Sequence, residues 1–249
     1  MEVQLVVQRG ESESDIIMEA YKVKVDEGSV VLDAIHALQA QHKPDFAIRW
    51  NCKAGKCGSC SIEVNGIPCL SCMTKLSDYD LSKPLIVKPM KTFPIIKDLV
   101  VDVSWNYETN KRIPQYKSKI GLEVPKLAQK DVDRIQEFRK CIECYLCQNT
   151  CHVLRTQDKK EEFIGPRFLI RLANLQMHPL DDQKGRLDQI YDDFGIGYCN
   201  ITKCCTEVCP ELIGITDNGI IPLKERVADH KFDPVRIVFR KLFRKSKLM

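Results

Sequence analysis

The sequence has no apolar run long enough to cross a bilayer. A membrane-spanning helix needs about 20 consecutive apolar residues, and no stretch of the 249 residues approaches that length. The N-terminus, MEVQLVVQRGESESD, also lacks the apolar core of a signal peptide. We therefore expect neither a transmembrane helix nor a signal peptide in this chain.

Nucleotide-binding motifs and strong charge are missing as well. There is no G-x-G-x-x-G run after a strand and no phosphate-binding loop, and GIGY at 195–198 is too short to count. The net charge is only +4, and basic residues are spread along the chain until its C-terminal end. These absences argue against a dinucleotide site and against nucleic acid as a partner.

Cysteine, in contrast, is abundant, because the chain has 13. The odd number, the length of the chain and the missing signal core all oppose a secreted disulfide framework. The cysteines fall into three groups, at 52–72, 141–151 and 199–209. Thiols grouped in this way favour metal centres.

Hydrophobic patterning predicts an α+β fold with two domains, 1–106 and 107–249. A polar stretch near residue 106 with two prolines, SWNYETNKRIPQYKSKIGLEVPK, marks the boundary. In the first domain, Ser29 is the predicted cap of a helix with one apolar face, formed by Val31, Ala34, Ile35 and Leu38. Around it lie the strand runs VQLVVQR, YKVKVDE, SIEVNGIP with a turn at Asn65-Gly66, and PLIVKP. This order predicts the β-grasp plan of plant-type ferredoxins.

The second domain is predicted to be helical, in the manner of a bacterial two-cluster ferredoxin. Its helical runs lie between and after the second and third cysteine groups. They are DVDRIQEFRK, PRFLIRLANLQ, DQIYDDFG and NGIIPLKERVADHK.

The first cysteine group has the plant-type 2Fe–2S spacing. It consists of Cys52-x4-Cys57-x2-Cys60, followed by Cys72. Zinc is the rival occupant, but structural zinc sites usually use two separated pairs of ligands. We therefore assign these four cysteines to a 2Fe–2S cluster.

The residues around this group support the assignment. Gly55 and Gly58 are predicted to let the backbone curl close to the cluster, where a Cβ would intrude. Cys69 falls outside the spacing and is interpreted as a buried small hydrophobic residue.

The second group is the bacterial two-cluster run, Cys141-x2-Cys144-x2-Cys147-x3-Cys151. In this run the fourth cysteine serves the other cluster. We therefore expect the second and third groups to exchange their last cysteines. Cys209 of the third group then completes a 4Fe–4S cluster with Cys141, Cys144 and Cys147.

The third group completes the exchange with one ligand too few. It reads Cys199-x5-Cys205-x3-Cys209, with Thr202 where the frame expects a cysteine. The second cluster of the pair then has Cys151, Cys199 and Cys205, which predicts 3Fe–4S. Cys204, next to Cys205, is the alternative ligand that this frame leaves aside.

With these motifs the sequence resembles the iron–sulfur subunit of the succinate dehydrogenase and fumarate reductase family. The resemblance covers nearly the whole chain and rests on RWNCKAGKCGSC, KDLVVD at 97–102, CIECYLC, FIGPRFLIRLA and CCTEVCP. It implies an enzyme subunit that transfers electrons and has no dicarboxylate site of its own. Electrons would come from the FAD of a flavoprotein and pass through the 2Fe–2S, 4Fe–4S and 3Fe–4S clusters to quinone.

The resemblance also implies partners and a location. A membrane anchor would bind quinone, with menaquinone as one candidate, near the 3Fe–4S cluster, and the chain would lie peripherally on the cytoplasmic face of the cell membrane. The alternatives are a quinol:fumarate reductase subunit running in reverse, a free-standing ferredoxin-like electron shuttle, or a zinc-structured interaction module. The direction of catalysis stays open.

The chain departs from the family pattern beside the third cluster. Many family members have proline straight after the cysteine equivalent to Cys151, tryptophan five residues after it, and histidine after the equivalent of Cys199. Here those places hold His152, Thr156 and Asn200. His152 is interpreted either as a functional substitute or as a histidine packed at a subunit surface.

The C-terminal run DPVRIVFRKLFRKSKLM has an apolar stripe, formed by Val235, Val238, Phe239 and Leu242. Arginine and lysine residues flank the stripe on another face. A basic amphipathic helix that docks on an anionic membrane or on the anchor is one interpretation. A solvated terminal charge run is the other.

Overall fold

The computed structural model describes residues 1–119, 126–235 and 237. The amphipathic tail predicted from Asp233 onward lies mostly outside the described residues. Within the described part, no helix combines the length and the apolar character that crossing a bilayer demands.

The strands and helices follow the chain in the predicted order of a strand-rich half and a helical half. The strands are β1 Glu2–Arg9, β2 Ile17–Lys24, β3 Ser61–Val64, β4 Ile67–Leu70, β5 Leu85–Lys88, β6 Ile95–Lys97 and β7 Val100–Val101. The α-helices are α1 Val31–Gln41, α2 Ser104–Arg112, α3 Gln129–Gln136, α4 Leu146–Thr150, α5 His152–Arg155, α6 Pro166–Met177, α7 Arg186–Asp192, α8 Cys204–Glu207 and α9 Ile221–Phe232.

These elements form two compact units that interleave along the sequence. Unit 1 comprises Met1–Glu108, Cys141–Asp158 and Cys204–Leu212. Unit 2 comprises Thr109–Lys140, Lys159–Lys203 and the described residues from Ile213 onward. The whole second cysteine group and part of the third therefore fold together with the N-terminal half. The predicted domain boundary at residue 106 stays a prediction.

Unit 1 is built on a five-stranded mixed sheet with the order β2-β1-β5-β3-β4. Strands β1 and β5 are parallel, and the other neighbours are antiparallel. Helix α1 packs on this sheet through its predicted apolar face, since Val31, Ala34, Ile35 and Leu38 are all buried. The predicted α+β class is confirmed.

The start of α1 differs from the prediction. Its N-cap is Val30 and not Ser29. The backbone N–H of Val30 donates to the Asp33 carboxylate at 3.1 Å, so an acidic side chain in the first turn satisfies it. Ser29 instead uses its carbonyl oxygen to accept the backbone N–H of Leu76.

The hairpin β3–β4 turns where the sequence predicts. Asn65 and Gly66 both have left-handed backbone angles, with φ of 50° and 81°, as a type I′ turn requires. Strand β3 is buried along its whole length. Ile62 and Val64 face the core, whereas Ser61 and Glu63 on the other face are also covered.

Unit 2 is helical, as predicted. A 3₁₀ turn at Glu137–Lys140 extends α3, and a π-helical turn at Ile215–Ile220 leads into α9. Helix α6 begins at Pro166, directly after Gly165 with φ of 80°. Its buried face and the helices around it form the core of the unit, with Phe168, Leu172, Ile190 and Leu223 fully buried.

Candidate metal centres

The loop of the first cysteine group is shaped by left-handed residues. Lys53, Gly55 and Gly58 have φ of 51°, 66° and 69°. As a result, the backbone N–H groups of Ala54 and Lys56 point inward and donate to the Cys52 sulfur at 3.4 and 3.3 Å. Inward amides and converging thiols are the donor set that a cluster with bridging sulfides needs.

Two thiols of this group, Cys57 and Cys72, have pKa values shifted in opposite directions. Burial alone would raise the pKa of Cys57, yet hydrogen bonds from Ser59 and Cys52 lower it to about 6. Burial raises the pKa of Cys72 to about 11, with further contributions from Cys60 and Cys52. Cluster binding replaces the protons of the thiols that stay protonated at neutral pH.

Within residues 1–119 and 126–235, no three or more His, Cys, Asp or Glu side chains stand ready to hold a single metal ion. The four thiols nevertheless fit a two-iron cluster by their donor chemistry, because they combine plant-type spacing with amides directed at sulfur.

Gly58 has a further role beside the predicted one, because the backbone of another segment lies against it. A Cβ built on it would lie 2.6 Å from the Cα of Cys144 and 2.9 Å from its backbone N. The close neighbour is therefore the second cysteine loop. A Cβ at Gly55 would meet the side chain of Met73 at 2.9 Å.

Ser61 joins the same two loops and was not singled out from the sequence. Its hydroxyl lies 2.9 Å from the carbonyl oxygens of both Gly58 and Cys144, and it donates to them. The first and second cysteine loops therefore share a hydrogen-bonded contact within unit 1. The sequence shows a serine directly after Cys60, but the neighbouring residues do not indicate that it contacts Cys144.

Unit 1 also brings together the four cysteines assigned to the 4Fe–4S cluster. Burial raises the pKa of Cys144 to about 12, and the charges of Cys141 and Cys209 act on it as well. Burial also raises the pKa of Cys147 well above that of an ordinary thiol, and Cys144, Cys141, Cys205 and Cys209 contribute to the increase. Cys209 thus lies near Cys144 and Cys147, although more than sixty residues separate them in sequence.

The three cysteines assigned to the third centre are divided between the units. Burial raises the pKa of Cys151 to about 11, and Cys204 and Cys205 are among its electrostatic neighbours. The Cys204 thiol donates to the Thr150 carbonyl at 3.6 Å. Cys199 belongs to unit 2, where the Lys224 ammonium donates to its carbonyl oxygen at 2.5 Å.

The two remaining residues of interest lie in unit 1. Cys69 is on β4 and packs against the sheet core, and burial raises its pKa to about 11. The packing agrees with its interpretation as a small hydrophobic residue, although the residue is half-buried and not fully buried as predicted. His152 is the first residue of α5 and is half-buried, so both interpretations of it stay open.

Comparison with protein families identifies both kinds of cluster domain. A 2Fe–2S iron–sulfur cluster binding domain matches residues 3–108. A 4Fe–4S dicluster domain matches residues 137–213. The predictions of a 2Fe–2S and a 4Fe–4S cluster are thereby confirmed.

Similar proteins include subunits of several oxidoreductases. A fumarate reductase (CoM/CoB) subunit of Methanothermobacter marburgensis is 27% identical over 207 residues, which cover 83% of this chain and 40% of that protein. The mitochondrial succinate dehydrogenase [ubiquinone] iron–sulfur subunit 1 of Oryza sativa is 33% identical over 200 residues, with coverage of 77% and 69%. Several of the curated relatives are longer, and the chain spans only 40%, 43% and 41% of three of them.

Among solved structures, a chain of the Mycobacterium smegmatis Sdh1 complex in the apo form is 55% identical to this one. The two superpose with a TM-score of 0.90, covering 94% of this chain and 98% of that chain.

Proposed function

The chain belongs to the family of succinate dehydrogenase and fumarate reductase iron–sulfur subunits, and we propose that it is the electron-transfer subunit of a membrane-bound succinate:quinone oxidoreductase. The observation that carries the proposal is the likeness, over nearly the whole chain, to a chain of the Sdh1 complex. In this role the chain conducts electrons and leaves the dicarboxylate chemistry to a flavoprotein that contains FAD.

The proposed ligand sets follow the sequence frame. Cys52, Cys57, Cys60 and Cys72 hold 2Fe–2S, whereas Cys141, Cys144, Cys147 and Cys209 hold 4Fe–4S. Cys151, Cys199 and Cys205 hold 3Fe–4S. Bound clusters supply one-electron redox chemistry, and their potentials depend on cluster type, hydrogen bonds and exposure. The contact between the first two loops at Gly58 supports electron transfer between their centres.

An exposed face beside the first loop supports docking of a partner there. Cys52 is exposed, and so are Trp50 (47%) and Met73 (56%), whose side chain lies against Gly55 of the same loop. The Lys53 ammonium lies 4.8 Å from the centre of the Trp50 ring. Exposed aromatic and methionine side chains are enriched at protein interfaces. We assign this face to the flavoprotein, because an electron donor has to come close to the first cluster.

The third cluster and the quinone site complete the proposal. We place the chain on the cytoplasmic face of the cell membrane, where a membrane anchor binds quinone near the 3Fe–4S cluster. Menaquinone is one candidate. His152 follows the ligand Cys151 directly in sequence and is therefore a candidate contact of this site.

Replacement of Thr202 by cysteine tests the third cluster. The variant Thr202→Cys supplies the thiolate that the two-cluster frame lacks, so we expect conversion of 3Fe–4S to 4Fe–4S. EPR of the oxidised protein should then lose the 3Fe signal, and quinone reduction should slow because the potential falls. Thr202→Ser is the matched control and should keep the signal. An unchanged 3Fe spectrum in Thr202→Cys would show that residue 202 does not face the open corner.

The function itself is tested by purification from native membranes. We expect the chain to co-purify with an FAD-containing flavoprotein and an anchor, and the complex to reduce quinone when given succinate. Cys57→Ser, which removes a ligand of the first cluster, should abolish quinone reduction while succinate still reduces an artificial dye at the flavoprotein. A chain that purifies alone from membranes, with all clusters intact, would instead indicate a free-standing electron shuttle.

Fumarate reduction is the second candidate function, because relatives named fumarate reductase iron–sulfur subunit are as similar as 33% identity over 199 residues. The same complex should also be assayed with a reduced quinol and fumarate. The ratio of the rate of fumarate reduction to the rate of succinate oxidation then distinguishes the two directions.

A further inference from the structure

Strand β3 has a polar face that is buried. Ser61 and Glu63 lie on the same side of the strand, because side chains alternate with a period of two. They are only 6% and 3% exposed. An alternating strand with one polar face is normally covered on one side only. Here the second cysteine segment covers the polar side, through Cys144 at Ser61 and through Asn149 and Arg155 at Glu63.

The carboxylate of Glu63 is fully engaged. The Arg155 guanidinium donates to both of its oxygens, at 2.5 Å to Oε1 and 3.0 Å to Oε2. The Asn149 amide donates to Oε1 at 2.8 Å, and the backbone N–H of Lys91 at 3.3 Å. A bidentate guanidinium contact fixes direction as well as distance.

Asn149 also connects the Glu63–Arg155 pair to the segment of the chain that contains Thr92. It is 0% exposed, and its Oδ1 accepts the backbone N–H of Thr92 at 3.0 Å. Its carbonyl oxygen accepts the Thr92 hydroxyl at 3.1 Å. The position of α4, which carries Cys147, is therefore fixed by side chains outside its own segment.

The arrangement also reaches Cys151. The backbone N–H of Arg155 donates to the Cys151 carbonyl oxygen at 2.7 Å. Asn149 lies between Cys147 and Cys151 in sequence, and Glu63 follows Cys60 by three residues. The Glu63–Arg155 pair thus joins chain segments that carry ligands assigned to all three centres.

Stability alone does not explain an ion pair at this place, where the Glu63 side chain is 4% exposed and the Arg155 side chain 23%. Desolvation offsets much of the attraction, and an apolar pair of the same volume often stabilises a fold equally well. Fixed charges near a redox centre, in contrast, change its reduction potential directly. A balanced pair can hold the segment in place without adding a net charge to its surroundings.

We propose that Glu63 and Arg155, together with Asn149, are positioning residues for the clusters. They hold the segment Cys147–Cys151 against β3 and keep the local charge neutral, which sets the potentials of the neighbouring centres. The inference rests on the cluster assignments within the proposed function. It does not depend on succinate or quinone as substrates.

Redox titration of the purified complex, followed by EPR, tests the proposal. Glu63→Gln leaves the Arg155 cation without its counter-charge and should shift the potential of the 4Fe–4S cluster in the positive direction. Arg155→Gln leaves the Glu63 carboxylate without its counter-charge and should shift the potential in the negative direction. The double variant Glu63→Gln/Arg155→Gln removes both charges and should return close to the wild-type potential.

Two further variants separate charge from packing. Arg155→Lys keeps the charge but not the bidentate contact, so it should leave the potential unchanged and lower the retention of iron. Asp80→Asn removes an exposed carboxylate paired with Lys83 at 3.5 Å and should change neither.

Potential shifts of the same sign in both single variants would contradict the proposal that the pair keeps the local charge neutral. Equal potentials in all variants would contradict it as well. If one of the single variants does not fold, Arg155→Lys and the double variant still test the proposal. A shifted potential in either of these two variants contradicts it. A wild-type complex that carries the clusters but fails to oxidise succinate would refute the proposed function and leave this test intact.

Discussion

Replacement of Gly58 by alanine should disrupt two iron–sulfur centres at once. The new Cβ would lie 2.6 Å from the Cα of Cys144, a separation that requires the backbone of one loop to move. Overpacking of this kind typically destabilises a fold by about 1–3 kcal/mol. The left-handed φ of 69° adds strain of about 1–2 kcal/mol for any residue with a Cβ. We therefore expect iron content to fall and the EPR signals of both 2Fe–2S and 4Fe–4S to weaken.

Gly66 provides the matched control for this variant. It has a similar φ of 81°, but a Cβ built on it would meet nothing within 4 Å. Gly66→Ala should therefore introduce similar backbone strain, but the protein should keep all of its clusters. If Gly58→Ala loses the 2Fe–2S signal but keeps a normal 4Fe–4S signal, the contact with Cys144 is not what makes glycine necessary there.

The two kinds of cluster domain could be predicted from the sequence because cluster chemistry is local in spacing. A loop with the pattern x4 and x2 delivers three thiolates to one centre whatever surrounds it. The hairpin turn was equally local, since Asn65-Gly66 supplies two residues that tolerate left-handed angles. Helix α1 was predicted from its apolar stripe for the same reason.

The features that the sequence did not reveal depend on contacts between distant segments. Glu63 was not singled out from the sequence, and its partner Arg155 is 92 residues away. Gly58 was correctly singled out, but its close neighbour is 86 residues further along the chain. Val30 replaced Ser29 as the cap because Asp33 reaches back to its N–H. The contacts of Glu63 and Gly58 depend on packing between distant segments, and the periodicity of the sequence does not indicate such packing.

Replacement of Cys209 by serine should remove the 4Fe–4S cluster. Cys209 is predicted to supply the fourth thiolate to Cys141, Cys144 and Cys147, and its charge acts on both Cys144 and Cys147. A serine oxygen is a poorer ligand for iron, because cluster sites are built on thiolates. We expect the EPR signal of the reduced 4Fe–4S cluster to disappear, or a second 3Fe signal to replace it, while the 2Fe–2S signal stays.

Cys204→Ser is the matched control, since it changes a neighbouring thiol that the frame leaves aside. That thiol donates to the Thr150 carbonyl at 3.6 Å, a contact that a serine hydroxyl can also make. The control should therefore retain all three cluster signals. If Cys204→Ser removes the 3Fe signal, Cys204 replaces Cys205 as a ligand of the third cluster. If Cys209→Ser keeps the 4Fe–4S cluster, the exchange of ligands between the two cysteine groups does not occur in this chain, because a site left with three thiolates would lose its fourth iron.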